Sequence, residues 1–182
     1  MTEYVGAVPM GVWKHLWAIL LLPGIVTIAV PGAIILLTGE IEFGWGLARP
    51  YDLLPTLFGC ILIGLGFFQK IKTISLFATV GEGTLAPWDP TRMLVVRGPY
   101  RYVRNPMISG VLAILLGEAL ILGSLPLIYW FLLFFILNAI YIPLVEERDL
   151  VRRFGNDYLN YKKNVSRWIP RLKPWNSASD ED

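Results

Sequence analysis

The chain has one cysteine, Cys60, and one histidine, His15, among its 182 residues. A lone thiol can form neither an internal disulfide nor a cysteine metal cluster. A lone histidine ahead of the first apolar run supplies neither a histidine-rich metal site nor a histidine base to the central loop. No metal site is expected, and Cys60, inside an apolar run, is expected to pack in the core. Charge is scarce as well. Only 16% of residues are charged and the net charge is +2, too small an excess for a nucleic-acid surface. No internal repeat is present.

Hydrophobicity is what the chain has in excess: 55% of residues are apolar, and the mean hydropathy of +0.56 lies above that of ordinary soluble domains. Four apolar runs approach or exceed the roughly 20 helical residues that cross a hydrocarbon core of about 30 Å. They are Leu16 to Leu37, Leu53 to Val80, Met107 to Gly123 and Leu125 to Val145. The expected fold is therefore all-α: a multi-pass integral membrane protein with four transmembrane helices and an amphipathic C-terminal helix on the cytoplasmic side. Residues 1–52 form an N-terminal span with an outer loop, 53–175 the core, and 176–182 an acidic tail expected to be disordered. The first run is too long for the apolar part of a signal peptide and has no small-residue cleavage site behind it, so it is expected to stay in the mature protein. Pro23 and Pro31, with Gly32, predict a kink or a break in it.

Of the 16 lysines and arginines, only Arg49 falls in a predicted outer loop. The rest are Lys14, Lys70 and Lys72, four arginines in the 81–106 loop and eight residues in the C-terminal segment, which is expected to place both termini and that loop in the cytoplasm.

Two segments on that side carry the chemistry. In "RGPYRYVRNPM", Arg97 to Met107, Gly98 and Pro99 predict a turn, Asn105 an N-cap, and Pro106 the first helical residue. Tyr100, Tyr102 and Arg104 surround the unpaired N–H groups of that helix start, a place suited to a carboxylate or phosphate. In "YIPLVEERDLVRRFGNDYLNYKKNVSRWIP", Glu146 and Glu147 fall at the membrane edge. Carboxylates at a helix C-terminus oppose the macrodipole, and neighbours on a helix point about 100° apart, so one of the two is expected to turn inward, with Glu147 the candidate. Leu150, Val151, Phe154, Tyr158, Tyr161 and Val165 recur at helical steps, interrupted near Gly155, and Trp168, Ile169 and Pro170 form an interfacial anchor. An anion site, carboxylates and aromatic faces together suit a zwitterion that also carries a cation such as a sulfonium.

Glu118 lies inside the third run, where an ionised carboxylate costs roughly 2.5–3.5 kcal/mol. Two readings stand: a carboxyl hydrogen-bonded to another helix, with Asn138 as partner, or a polar contact in the path of an acceptor.

"GPYRYVRNPM", followed after two hydrophobic runs by "EERDLVRRFGNDYLNYKKNVSRWIP", resembles the isoprenylcysteine carboxyl methyltransferase and phospholipid methyltransferase superfamily of membrane enzymes. The resemblance covers about residues 60–170 and none of 1–50. It implies S-adenosyl-L-methionine as cofactor, in a cytosolic pocket roofed by the C-terminal helix, and a small-molecule or lipid-like acceptor entering from the bilayer. It implies cofactor contacts for Leu94, Val95, Tyr100, Arg104, Asn105, Pro106, Met107, Glu146 and Glu147, and it matches Gly64, Leu65 and Gly66 to a glycine pair placed in a span. The family often has His at the position of Asn105 and Tyr at that of Ile108. A membrane reductase using NADPH is the alternative, since its family ends in a related Arg-x-Pro-Asn-Tyr motif. "RNPMISG" lacks the Asn-Tyr after proline. A non-enzymatic membrane scaffold is the third reading. Methyl transfer from a sulfonium is an in-line displacement that positioning can accelerate by about 7–11 kcal/mol without metal or strong base, which suits a histidine-free loop.

Cysteines introduced at Gly83 and Ser177 should react with impermeant reagent only from the cytoplasmic side; labelling from outside at either position would invert the topology.

Overall fold

The computed structural model describes residues 23–80 and 94–176. The start of the first apolar run, the 81–93 part of the loop with Arg92, and the acidic tail from 177 lie outside the described residues. Within them the chain is helical, without strands. A π-helical turn, Ile25–Ala29, leads into α1, Val30–Thr38. There follow α2, Leu53–Val80, α3, Pro106–Leu122, and α4, Leu125–Tyr141. A second π-helical turn, Ile142–Glu146, joins α4 to α5, Glu147–Asn164.

The helical runs Leu53–Leu76 and Leu125–Asn164 are long and apolar enough to cross a membrane, while Ile25–Thr38 and Pro106–Leu122 are apolar but shorter. Their outward faces are aliphatic and aromatic: Leu36 and Leu37 are each 87% exposed, and Leu57, Phe68 and Tyr129 are also exposed. Water would penalise such a surface and lipid does not, so these helices belong in a bilayer. The buried centre is α3, whose Val111, Ile114, Leu115 and Ala119 have almost no exposed surface.

What lets α3 sit so deep is a pair of glycines on each helix of the α2–α3 couple. A Cβ on Gly59 would stand 2.7 Å from the Gly117 carbonyl oxygen, and one on Gly66 would stand 2.6 Å from that of Gly110. Both pairs are spaced seven residues apart and run in opposite directions, so two antiparallel helices touch backbone to backbone twice. Gly66 thus serves packing, while Gly64 faces open space. Cys60, expected in the core, is exposed: it follows Gly59 and so points away from the shared face.

The prolines distort the helices without ending them. Gly24, Ala29 and Val30 all keep right-handed helical angles, and the Val30 N–H reaches back five residues to the Ile25 carbonyl. The wider turn accommodates Pro31, which has no N–H to give. From Ile25 onward the first apolar helix is therefore distorted at Pro31 without being broken, the kink being the one of the two expected outcomes seen there. Pro143 produces the same turn, where the Glu147 N–H bonds to the Ile142 carbonyl.

At the opposite end from the charged segments, α3 stops at Gly123, whose φ of 59° is left-handed. There the 39–52 connection supplies donors to the last turn: Glu42 N–H bonds to the Leu122 carbonyl at 3.0 Å and the Trp45 indole to the Leu120 carbonyl at 3.0 Å. Carbonyls that a helix end leaves unpaired are thus satisfied by a distant segment. The indole bond also holds Trp45 at a φ of 57°, unusual for a bulky residue.

Gly117→Ala should lower thermal stability in detergent by about 1–3 kcal/mol, because its methyl would meet the Gly59 carbonyl and Ile63 at 2.7 Å each. Gly64→Ala, with nothing within 4 Å, should be neutral or slightly stabilising. Equal effects of the two would remove the glycine couple as the reason α3 is buried.

Candidate functional site

The two charged segments meet. Just before α3, Arg104 extends a guanidinium that is only 9% exposed, and its Nη1 donates to Glu147 Oε1 at 2.9 Å. Glu147, the first residue of α5, is 2% exposed. Arg167 Nε donates to the same oxygen at 2.7 Å, and Lys162 Nζ stands 2.8 Å from Oε2. One buried carboxylate therefore joins the segment before α3, the end of α5 and the chain beyond it.

The backbone reinforces this closure. Arg104 N–H bonds to the Ser166 carbonyl at 3.0 Å, Arg171 N–H to the Tyr102 carbonyl at 2.9 Å, and Trp175 N–H to the Arg101 carbonyl at 2.9 Å. Arg101 Nε returns a bond to the Trp175 carbonyl at 3.0 Å. The stretch 166–175 thus lies along 101–104 and covers it. Gly155, with φ 52° and ψ −126°, breaks the helical angles inside α5 where the residue spacing predicted an interruption. Beyond it Tyr158, Tyr161 and Val165 form a small buried cluster against which Leu94, Val96, Leu150, Val151, Phe154 and Trp175 pack. The Tyr161 hydroxyl donates to the Tyr100 carbonyl at 2.7 Å, tying the cluster to the "GPYR" turn.

Burial raises the Glu147 carboxyl pKa, but hydrogen bonds from Arg167 and Lys162 and the charges of Arg104 and Arg167 outweigh it, so the group titrates below its ordinary value. Glu146, half-buried, goes the other way: burial, then the neighbouring Glu147 charge, raises it. The Tyr158 phenol is pushed up to about 12, by burial and then by Glu147, against the opposing influence of Arg104. Tyr100 is also raised, by burial and next by Glu146, which places that second carboxylate on the Tyr100 side. Burial and partners thus push the two adjacent carboxyls in opposite directions.

The other residues singled out in the sequence fall around this centre. Asn105 occupies the N-cap position of α3, but its side chain makes no capping bond; Pro106 is buried and Met107 half-buried in the first turn. Leu94 touches the tyrosine cluster, while Val95 is half-buried outside it. Glu118 lies apart. Its Oε2 is buried without a hydrogen-bond partner, and the Asn138 amide, expected to meet it, donates instead to the Phe134 carbonyl of its own helix at 2.8 Å. Glu146 and Glu147 were expected at a helix C-terminus. They stand instead inside a helical run that continues to Asn164, because the π-helical turn absorbs Pro143. The inward turn of Glu147 thus has a different cause: three cations receive it.

Two of those cations, Lys162 and Arg167, were assigned in the sequence to membrane topology. No local spacing links them to Glu147. The available signal was electrostatic, since a carboxylate that turns inward needs more than one donor. Beside Glu147 a shallow cleft of about 280 Å³ opens, lined by Pro143, Arg148, Val151, Arg152 and Lys162. Among the described residues no group of His, Cys, Asp and Glu could hold a metal ion.

Lipid-facing helices with a cation-rich polar site at one end define a helical membrane protein. The phospholipid methyltransferase family model matches residues 54–157, more than half of the chain, and the chain belongs to that family. Among curated relatives, methanethiol S-methyltransferase of Pseudomonas deceptionensis is 37% identical over 78 residues, covering 41% of this chain and 27% of that protein. Methanethiol S-methyltransferase 2 of Bradyrhizobium diazoefficiens is 36% identical over 77 residues, 40% of this chain and 27% of the relative. The match spans about a quarter of each relative's length. No solved structure matches the chain.

Glu147→Gln should cost about 3 kcal/mol of thermal stability in detergent, since it removes the charge that three cations share. A carboxyl with a depressed folded pKa stabilises above its unfolded value and ceases to as the pH falls through the folded one. The gap between wild type and Glu147→Gln should therefore be constant above pH 4.5, the ordinary value, and close below it. A gap that widens in acid would contradict the ion-paired assignment.

Proposed function

We propose that the chain is an S-adenosyl-L-methionine-dependent membrane methyltransferase acting on a small or lipid-like amphiphile, with a small thiol as the first acceptor to test. The observation that supports it most is the charge balance at Glu147: three cations surround one carboxylate, leaving an excess of two positive charges, with half-buried Glu146 beside them. The amino-acid end of the cofactor brings a carboxylate that such cations attract and an ammonium that Glu146 or Glu147 can receive. Leu94, Val95, Tyr100, Arg104, Asn105, Pro106, Met107, Glu146 and Glu147 are the residues proposed to hold it, the tyrosine faces lying toward its cation.

Bound there, the cofactor would supply a methyl group from its sulfonium sulfur to the acceptor, with S-adenosylhomocysteine as the leaving group. The protein's part is to position the reactants and exclude water, which the closure of 166–175 over 101–104 favours. A thiol acceptor, suggested by the names of the two relatives, reacts as its thiolate, the proton going to solvent, and needs no histidine base. Four spans, with both termini and this site on the cytoplasmic side of a prokaryotic membrane, complete the proposal. Glu118 stands twelve residues into α3, about 18 Å along its axis. Its role in this reading is along the acceptor's approach, away from the reacting carbon.

Calorimetric titration of the detergent-purified protein should show binding of S-adenosyl-L-methionine and none of NADPH, and addition of methanethiol should release S-adenosylhomocysteine. Arg104→Ala should weaken cofactor binding by roughly 1.5–3 kcal/mol, with Lys a partial replacement because it lacks the planar fork. Binding of NADPH alone would replace the methyltransferase reading with the reductase one.

A further inference from the structure

The stretch after α5 does more than close the site. Residues 158–175 contain five lysines and arginines, Lys162, Lys163, Arg167, Arg171 and Lys173, and no acidic residue. Arg167 is held by Glu147, and the Arg171 guanidinium donates to the Asn164 carbonyl, so the segment is braced from within. Lys163 and Lys173 remain exposed. Between these cations Ile169 is 76% exposed and Leu172 101%, the least covered large apolar side chains beyond Gly155. The Trp168 ring lies 5.7 Å from that of Phe135, centroid to centroid, and Phe135 belongs to the apolar helix α4. The chain thus returns from α5 to the flank of a lipid-facing helix and presents two exposed apolar side chains in a segment whose charged residues are all cations.

We propose that Ser166 to Lys173 docks on the leaflet next to the site and prefers anionic phospholipid, with Ile169 and Leu172 entering the acyl boundary and Lys163 and Lys173 meeting phosphate headgroups. Exposed apolar side chains flanked by lysines match a negatively charged interface in both hydrophobicity and sign. The lysine contribution is screened by salt and the apolar contribution is not. This surface stands independently of the reaction catalysed.

The test places a spin label at Leu172→Cys in a Cys60→Ser background, needed because Cys60 is exposed. The labelled protein, shown by its melting curve to fold like its parent, is reconstituted into nanodiscs of phosphatidylcholine alone or mixed with phosphatidylglycerol. The label should become accessible to oxygen and shielded from a water-soluble nickel chelate in the anionic bilayer. High salt should partly reverse this, and Lys163→Gln with Lys173→Gln should abolish the difference between the two lipids. Full nickel accessibility in both bilayers would overturn the docking surface. So would shielding from both reagents in detergent as well as lipid, the signature of coverage by the chain's own acidic tail or by a second copy. Equal immersion in both bilayers would overturn the requirement for anionic lipid.

Discussion

The polar end of this molecule is organised by one buried carboxylate. Glu147 accepts Arg104, Arg167 and Lys162, and these contacts are what bring together the segment before α3, the end of α5 and the chain after it. Burying a lone carboxylate in such a place would be prohibitive, so the cations are a condition of the fold as well as a property of the site. Because they outnumber the carboxylate, the closed arrangement keeps a net positive charge.

The rest of the bundle holds this carboxylate at a set height. Gly59, Gly66, Gly110 and Gly117 allow α2 and α3 to meet at backbone distance, which fixes where α3 begins and so where Arg104 stands. On the other side, α4 delivers Glu147 directly, since the π-helical turn at Pro143 carries the helix through without a loop. The 39–52 connection pins the far end of α3 through Trp45 and Glu42. Two helices whose far ends are constrained therefore present Arg104 and Glu147 to each other.

Much of this was legible in the residues. The long apolar runs marked the helices, "RNP" marked the start of α3 at Pro106, the steps from Leu150 to Val165 marked α5, and Gly155 marked its interruption. The adjacency of two glutamates implied that only one could turn inward. What stayed hidden depends on contacts distant in sequence. Arg167 and Lys162 looked like membrane-edge cations because nothing local distinguishes a lysine facing headgroups from one facing a buried carboxylate. The fourth helix was expected to end near Glu146 and Glu147 because polarity rises there, and the continuation of the backbone through the wider turn at Pro143 is not visible in sequence. Cys60 was placed inside because an apolar run in a membrane chain has two greasy faces, toward protein and toward lipid, that composition cannot separate.

The helical run from Leu125 to Asn164 has 40 residues, about 60 Å if straight, or twice the hydrocarbon thickness of a bilayer. Its first half is gripped by acyl chains and its second half carries Glu147, Tyr158, Tyr161 and Lys162, with no loop between them. A span longer or shorter than its surroundings adjusts by tilting. Tilt of α4 is delivered without slack to Glu147, eight residues ahead of the break at Gly155. The lipid-facing and ion-paired parts of the chain are thus one continuous element down to Glu147.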